Sequence, residues 1–149
     1  MTKAERCQKA LACHAGTLNC AQSVLAAYSD RIGLSDGQCY AIASGFGGGV
    51  RYGGLCGAVS AAVMALGMLY PHTPENALAG KTRAIHLTQE FQQRFRERFG
   101  ALDCRDLLRL RDLRGTEQTE ALGVTNHCDI LIVSAVELLW DMLEELEKE

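Results

Sequence analysis

The stretch Ser44-Gly45-Phe46-Gly47-Gly48-Gly49-Val50-Arg51-Tyr52-Gly53-Gly54-Leu55-Cys56-Gly57-Ala58 decides how this chain is read. Seven glycines fall within thirteen residues, at 45, 47, 48, 49, 53, 54 and 57. Glycine costs backbone entropy, so such density needs a reason: positive φ, or backbone brought against something bulky. A mobile linker is the competing reading, but linkers are polar and Ser-rich and do not run into an apolar helix. Here the apolar run from Leu55 to Tyr70 follows at once. The stretch therefore reads as a shaped loop that delivers Cys56 to the first turn of a helix, with backbone N–H groups around it.

The run from 55 to 70 is short of the ~20 apolar residues that cross a bilayer. It predicts a buried helix over about 54–70, apolar all round, with small residues (Gly57, Ala58, Ser60, Ala61, Ala62, Ala65) that let neighbours approach. Upstream, residues 3–15 read as a helix. A second starts near Thr17 or Asn19 and runs to about Arg31. A third runs from Asp36, capped by Ser35, to Ser44. Downstream, Pro74 suits a first helical position, and the helix it opens reaches Phe99 with Phe91, Phe95 and Phe99 on one face. Asp103 caps a short helix over 104–110. Residues 111–125 are polar and ambiguous. Asn126 caps a last helix from Cys128 to about Lys148, whose seam (Ile132, Val136, Leu139, Leu143, Leu146) allows packing within the chain or in a homodimer.

Composition agrees. The chain has 149 residues, 48% of them hydrophobic, and two prolines, and it lacks period-2 strand signals. The expectation is an all-α, single-domain bundle over 1–149, with about five to seven helices around the central apolar helix and a glycine-rich loop at 45–57. A formal net charge of -3 does not suggest nucleic-acid binding. No h-region opens the chain and no segment suits a membrane, so a cytoplasmic protein is expected. Residues 81–114 carry nine Lys/Arg against five Asp/Glu, and residues 137–149 carry six acids and one Lys. Two solvated faces that attract each other are the simplest account.

The seven cysteines (7, 13, 20, 39, 56, 104 and 128) are too sparse for a disulfide scaffold, which needs roughly 8–10%. In a reducing compartment they point to metal, redox chemistry or packing. Cys7 and Cys39 lie on apolar helix faces and read as core. Cys20, Cys56, Cys104 and Cys128 share a different feature: each falls at the start of a predicted helix. A helix start offers free N–H donors and a positive dipole end, which favour thiolate. If the four starts converge, they make a four-thiolate site. That set suits an iron–sulfur cluster as metal ligands, with backbone N–H groups of Gly48, Gly49, Gly53, Gly54 and Gly57 binding the cofactor. A metal-free thiol–disulfide protein using a pair of the same cysteines is the alternative. A helical structural or binding module with buried cysteines is the third reading. His14 and His127 could lie near such a site. The spacing lacks the paired cysteines of a zinc site, and the loop is neither a Walker A nor a dinucleotide fingerprint.

At these residues the chain resembles a family of redox-active proteins named C_GCAxxG_C_C after its cysteine pattern. The pieces are Asn19-Cys20-Ala21-Gln22-Ser23-Val24, then Ser44 to Gly49 with Gly53 to Ala58, then Cys104-Arg105-Asp106-Leu107, then Cys128 with Val133 and Ala135. The stretch departs from the named motif, with Leu55 before the cysteine, Gly57 and Ala58 after it and Ser60 in a small-residue place, while the cysteine itself is kept. The family is similar to the non-haem part of split-Soret cytochromes. The resemblance implies a helical fold and an iron–sulfur or electron-transfer role, with a partner redox protein.

Overall fold

Side chains that cap their own backbone set where the helices begin. Thr2, Asn19, Ser35 and Thr116 each accept a bond from the N–H three residues on, and the side chain there returns one. The computed structural model describes residues 1–149. Its helices are α1 (Lys3–Ala15), α2 (Cys20–Ala26), α3 (Ser29–Ile32), α4 (Asp36–Ile42), α5 (Gly57–Leu69), α6 (Ala77–Phe99), α7 (Cys104–Leu107), α8 (Glu117–Ala121) and α9 (His127–Glu147). The fold is all-α. The two helices beyond the expected seven are short: α3 has four residues and α8 has five, while α7, expected over 104–110, stops at Leu107.

One core of 32 buried residues runs through the chain. Helix α5 packs on α2, α6 and α9, while α1 packs on α2 and α9. The most enclosed run is in α9, where every residue from Ile130 to Glu137 is buried. The α9 seam is filled inside the chain, since Ile132, Val136, Leu139 and Leu143 are all enclosed by its own helices. Phe91, Phe95 and Phe99 stack along α6 with centroids 6.4 and 4.9 Å apart. Helix α5 has buried residues from Gly57 to Leu66 but not in its last turn. Gly67 and Met68 face solvent, so it is not enclosed all round as its composition suggested.

Three boundaries differ from the expected ones, each for a local reason. The second helix breaks after Ala26 because Tyr28 turns inward and donates its hydroxyl to Val136 O at 2.7 Å. Helix α6 starts at Ala77 rather than at Pro74. Thr73 and Asn76 exchange side-chain bonds, and Asn76 also donates to Pro71 O, which holds the chain in a turn. Helix α5 starts at Gly57 rather than at Gly54 because residues 54–56 pair with 102–104. Leu55 and Asp103 form an antiparallel bridge. Cys56 N–H donates to Leu102 O at 2.9 Å, and Cys104 N–H donates to Gly54 O at 2.7 Å. This pairing fixes two helix starts side by side.

The expected attraction between basic and acidic faces is seen where Arg94 meets Glu145 at 2.5 Å. No helix is long and apolar enough to cross a membrane.

Candidate functional site

The glycine loop is folded tightly. Gly48, Gly49, Val50 and Arg51 take left-handed φ of 62, 62, 57 and 55° in succession. Gly54 N–H closes the turn on Gly49 O at 3.0 Å. A β-branched residue at positive φ is a strained one, and four left-handed residues in a row are rare for L-amino acids. Gly49 is required here because a Cβ on it would sit 2.5 Å from Gly54 N. Arg105 of α7 donates to Gly53 O and Tyr52 O, which docks the turn against α7. Asn19 ties the loop to α2: its amide accepts from Gln22 N–H and donates to Ala43 O and Ser44 O.

The four helix starts converge. Cys20 opens α2, Cys56 caps α5, Cys104 opens α7 and Cys128 is the second residue of α9. All four line one cavity of about 380 Å³. Of the glycines proposed as cofactor-binding, Gly48 and Gly57 line it as well. Gly49, Gly53 and Gly54 do not; they shape the turn behind it. Gly57 makes room for a neighbour, since a Cβ there would lie 2.6 Å from Cys20 Sγ and 2.7 Å from Phe46 O. The thiols surround the space instead of meeting at a point. No group of three or more His, Cys, Asp or Glu side chains converges as a single-ion site.

The electrostatics correct one expectation. Helix starts were expected to lower the thiol pKa values, yet burial dominates. It pushes the Cys56 thiol up to about 12, and the neighbouring Cys20 adds to the rise. The N–H groups of Ala58 and Val59 pull the other way, and less strongly. Cys104 is raised by burial and then by Cys20; Cys128 is raised by burial and then by Cys20 and Cys104. The four thiols are thus close enough to feel each other's charge.

Other predictions resolve plainly. Cys7 and Cys39 are fully buried in the core. Cys13 sits by Tyr40 instead of on the cavity. His127 is tied to Leu110 O. His14 does line the cavity, with Nδ1 2.6 Å from Asp129 Oδ1. Sequence reasoning missed Arg51, Leu107, Leu108 and Leu131, which complete the wall. Leu107 and Leu108 follow Cys104 in its helix, and Leu131 stands one turn after Cys128, so their spacing from the cysteines was the available signal.

Comparison with curated proteins and with solved structures finds no match. The family described as "Putative redox-active protein (C_GCAxxG_C_C)" matches residues 18–142, from just before Cys20 to beyond Cys128. The chain belongs to the C_GCAxxG_C_C family, whose general role is redox.

Proposed function

We propose that Cys20, Cys56, Cys104 and Cys128 hold an iron–sulfur cluster and that the protein carries electrons. The arrangement of the four thiols carries this reading: each starts a different helix, and together they ring one cavity of about 380 Å³. A polynuclear group spans such a ring, and its ligand set is four cysteine thiolates. When bound, the cluster supplies one-electron transfer.

The chain's own residues do the rest. The sulfurs ligate, the buried Leu107 and Leu131 keep water from the wall, and Gly48 and Gly57 let backbone come close. Raised pKa values fit an occupant that carries positive charge. Burial and mutual repulsion of the thiolates keep these thiols protonated until a cation enters, so loading releases protons.

Iron and acid-labile sulfide per chain, measured on protein purified without oxygen, test the reading. Near-stoichiometric amounts with a brown chromophore that reductant bleaches are expected. Colourless protein that stays iron-free after reconstitution overturns it, and a thiol count that changes by two on mild reduction then favours the relay.

A further inference from the structure

The cavity contains a donor that the cysteine pattern does not include. His14 lies near the end of α1, before the family match begins at residue 18. Its ring lines the same cavity as the four thiols. Nδ1 is 2.6 Å from Asp129 Oδ1, and Asp129 is the residue after Cys128 in the first turn of α9. Asp129 is itself held, because its N–H donates to Asn126 Oδ1 at 3.2 Å.

This contact orients the ring. A carboxylate accepts, so Nδ1 is the donor, and in the neutral ring Nε2 is the nitrogen with a lone pair to give a metal. No hydrogen bond engages Nε2, and His14 lines the cavity, so Nε2 is the nitrogen free to bind there. A histidine whose far nitrogen is tied to a carboxylate is the arrangement that orients metal-ligating imidazoles.

We propose that His14 is a nitrogen ligand to the group held at the cysteine cavity and that Asp129 is its positioning residue. The inference rests on the iron–sulfur reading above. Four thiols and one imidazole give five donors around a group that takes four. The imidazole therefore takes one iron in place of one of the four thiolates named above, which narrows that ligand set to three of the cysteines, Cys56 among them, and His14. Replacing a thiolate by a neutral nitrogen removes negative charge from the group and raises its reduction potential.

The full chain, grown with isotopically labelled or ordinary histidine and loaded with iron and sulfide without oxygen, is the sample. Pulsed electron paramagnetic resonance of the paramagnetic cluster reads ligand nitrogen directly. A nitrogen coupling that changes with the histidine label, vanishes in His14→Ala and persists in His72→Ala is expected. Added imidazole should restore it in His14→Ala. Asp129→Asn should keep the cluster but lose iron to a chelator about tenfold faster. His14→Ala should also lower the midpoint potential. Full iron and sulfide with no histidine coupling in the unaltered chain overturns this proposal and leaves the iron–sulfur reading standing. Failure to take up iron and sulfide overturns that reading and this one together.

Discussion

Cys7 and Cys56 are nearly equal in burial and in thiol pKa, both pushed up to about 12, yet they sit in regions built for different ends. Cys7 lies in the middle of α1, and the second cause of its raised pKa is Glu137. Nearby Arg6, 3% exposed, bonds Asp30 and Ala27 O and lies over Tyr28, so the region is a closed, interlocked core. Cys56 caps α5, and the second cause of its rise is another cysteine. A perturbed pKa alone does not mark a site; what the thiol faces does. One region surrounds its sulfur with packed side chains, the other with three more sulfurs and open space.

The largest expected effect breaks this comparison outright. Cys56→Ala should reduce bound iron from near-stoichiometric to none, whereas Cys39→Ala and Cys7→Ala should keep full iron and cost about 1 kcal/mol of stability each. Iron analysis beside thermal melts checks it. Full iron in Cys56→Ala would remove the distinction between the two regions and the cluster assignment with it.

Gly57→Ala sharpens the comparison within the cavity. The added Cβ meets Cys20 Sγ and the Phe46 carbonyl, and the carbonyl is backbone that cannot swing away. A loss of ~1–3 kcal/mol is expected, together with slower cluster reconstitution. The contrasting variant is Gly67→Ala on the exposed side of the same helix, where nothing lies within 4 Å of a new Cβ. It should gain roughly 0.5–1 kcal/mol. Similar melts for both variants would mean that α2 and the loop yield to α5 freely.

Alkaline pH separates filled from unfilled cavities. Cys56, Cys104 and Cys128 keep their protons in the folded, metal-free chain above the ordinary thiol value of 9.0. Above that pH the unfolded chain binds fewer protons than the folded one, so folding stability falls as pH rises; Cys56 contributes at most ~1.4 kcal/mol per pH unit between about 9 and 12, and Cys104 and Cys128 add to the fall in the same direction. Cys7 contributes the same slope in both forms. Ligated thiols have already lost their protons, so the loaded protein should show the shallower decline. Equal declines in melts from pH 8 to 11 would put the cavity thiols outside the ligand set.

The long helices were legible because their signals are local. Apolar spacing marked α1, α6 and α9, and cap residues marked the starts of α4 (Ser35) and α9 (Asn126). The four cysteines were legible for the same reason, as each sits beside a start signal. Their shared cavity depends on long-range geometry. The pairing of 54–56 with 102–104 rests on two backbone bonds that no side-chain pattern announces. His14 reaches the cavity only because α1 packs on α9 and brings it to Asp129, 115 residues away. The thiol pKa values were misjudged because helix-end donors are visible in a sequence, while burial emerges from the assembled fold.

The smallest effect concerns the strained turn. Val50 takes φ 57° while 55% exposed, so its side chain has little packing to offset a left-handed backbone. In the core, Val59 is fully buried on a helix and carries no such strain. Val50→Gly relieves ~1–3 kcal/mol of backbone strain and adds back up to ~1 kcal/mol of unfolded-chain entropy. A net gain of about 1 kcal/mol is expected in thermal unfolding, where Val59→Gly should lose several times that amount. Strain that persists in an exposed loop has to be held by something, and here the neighbouring residues Gly48 and Arg51 both line the cavity. If the turn is held left-handed to place them, Val50→Gly should melt higher yet release iron to a chelator faster. A higher melt with unchanged iron retention would assign the strain to loop closure between Gly49 and Gly54 alone.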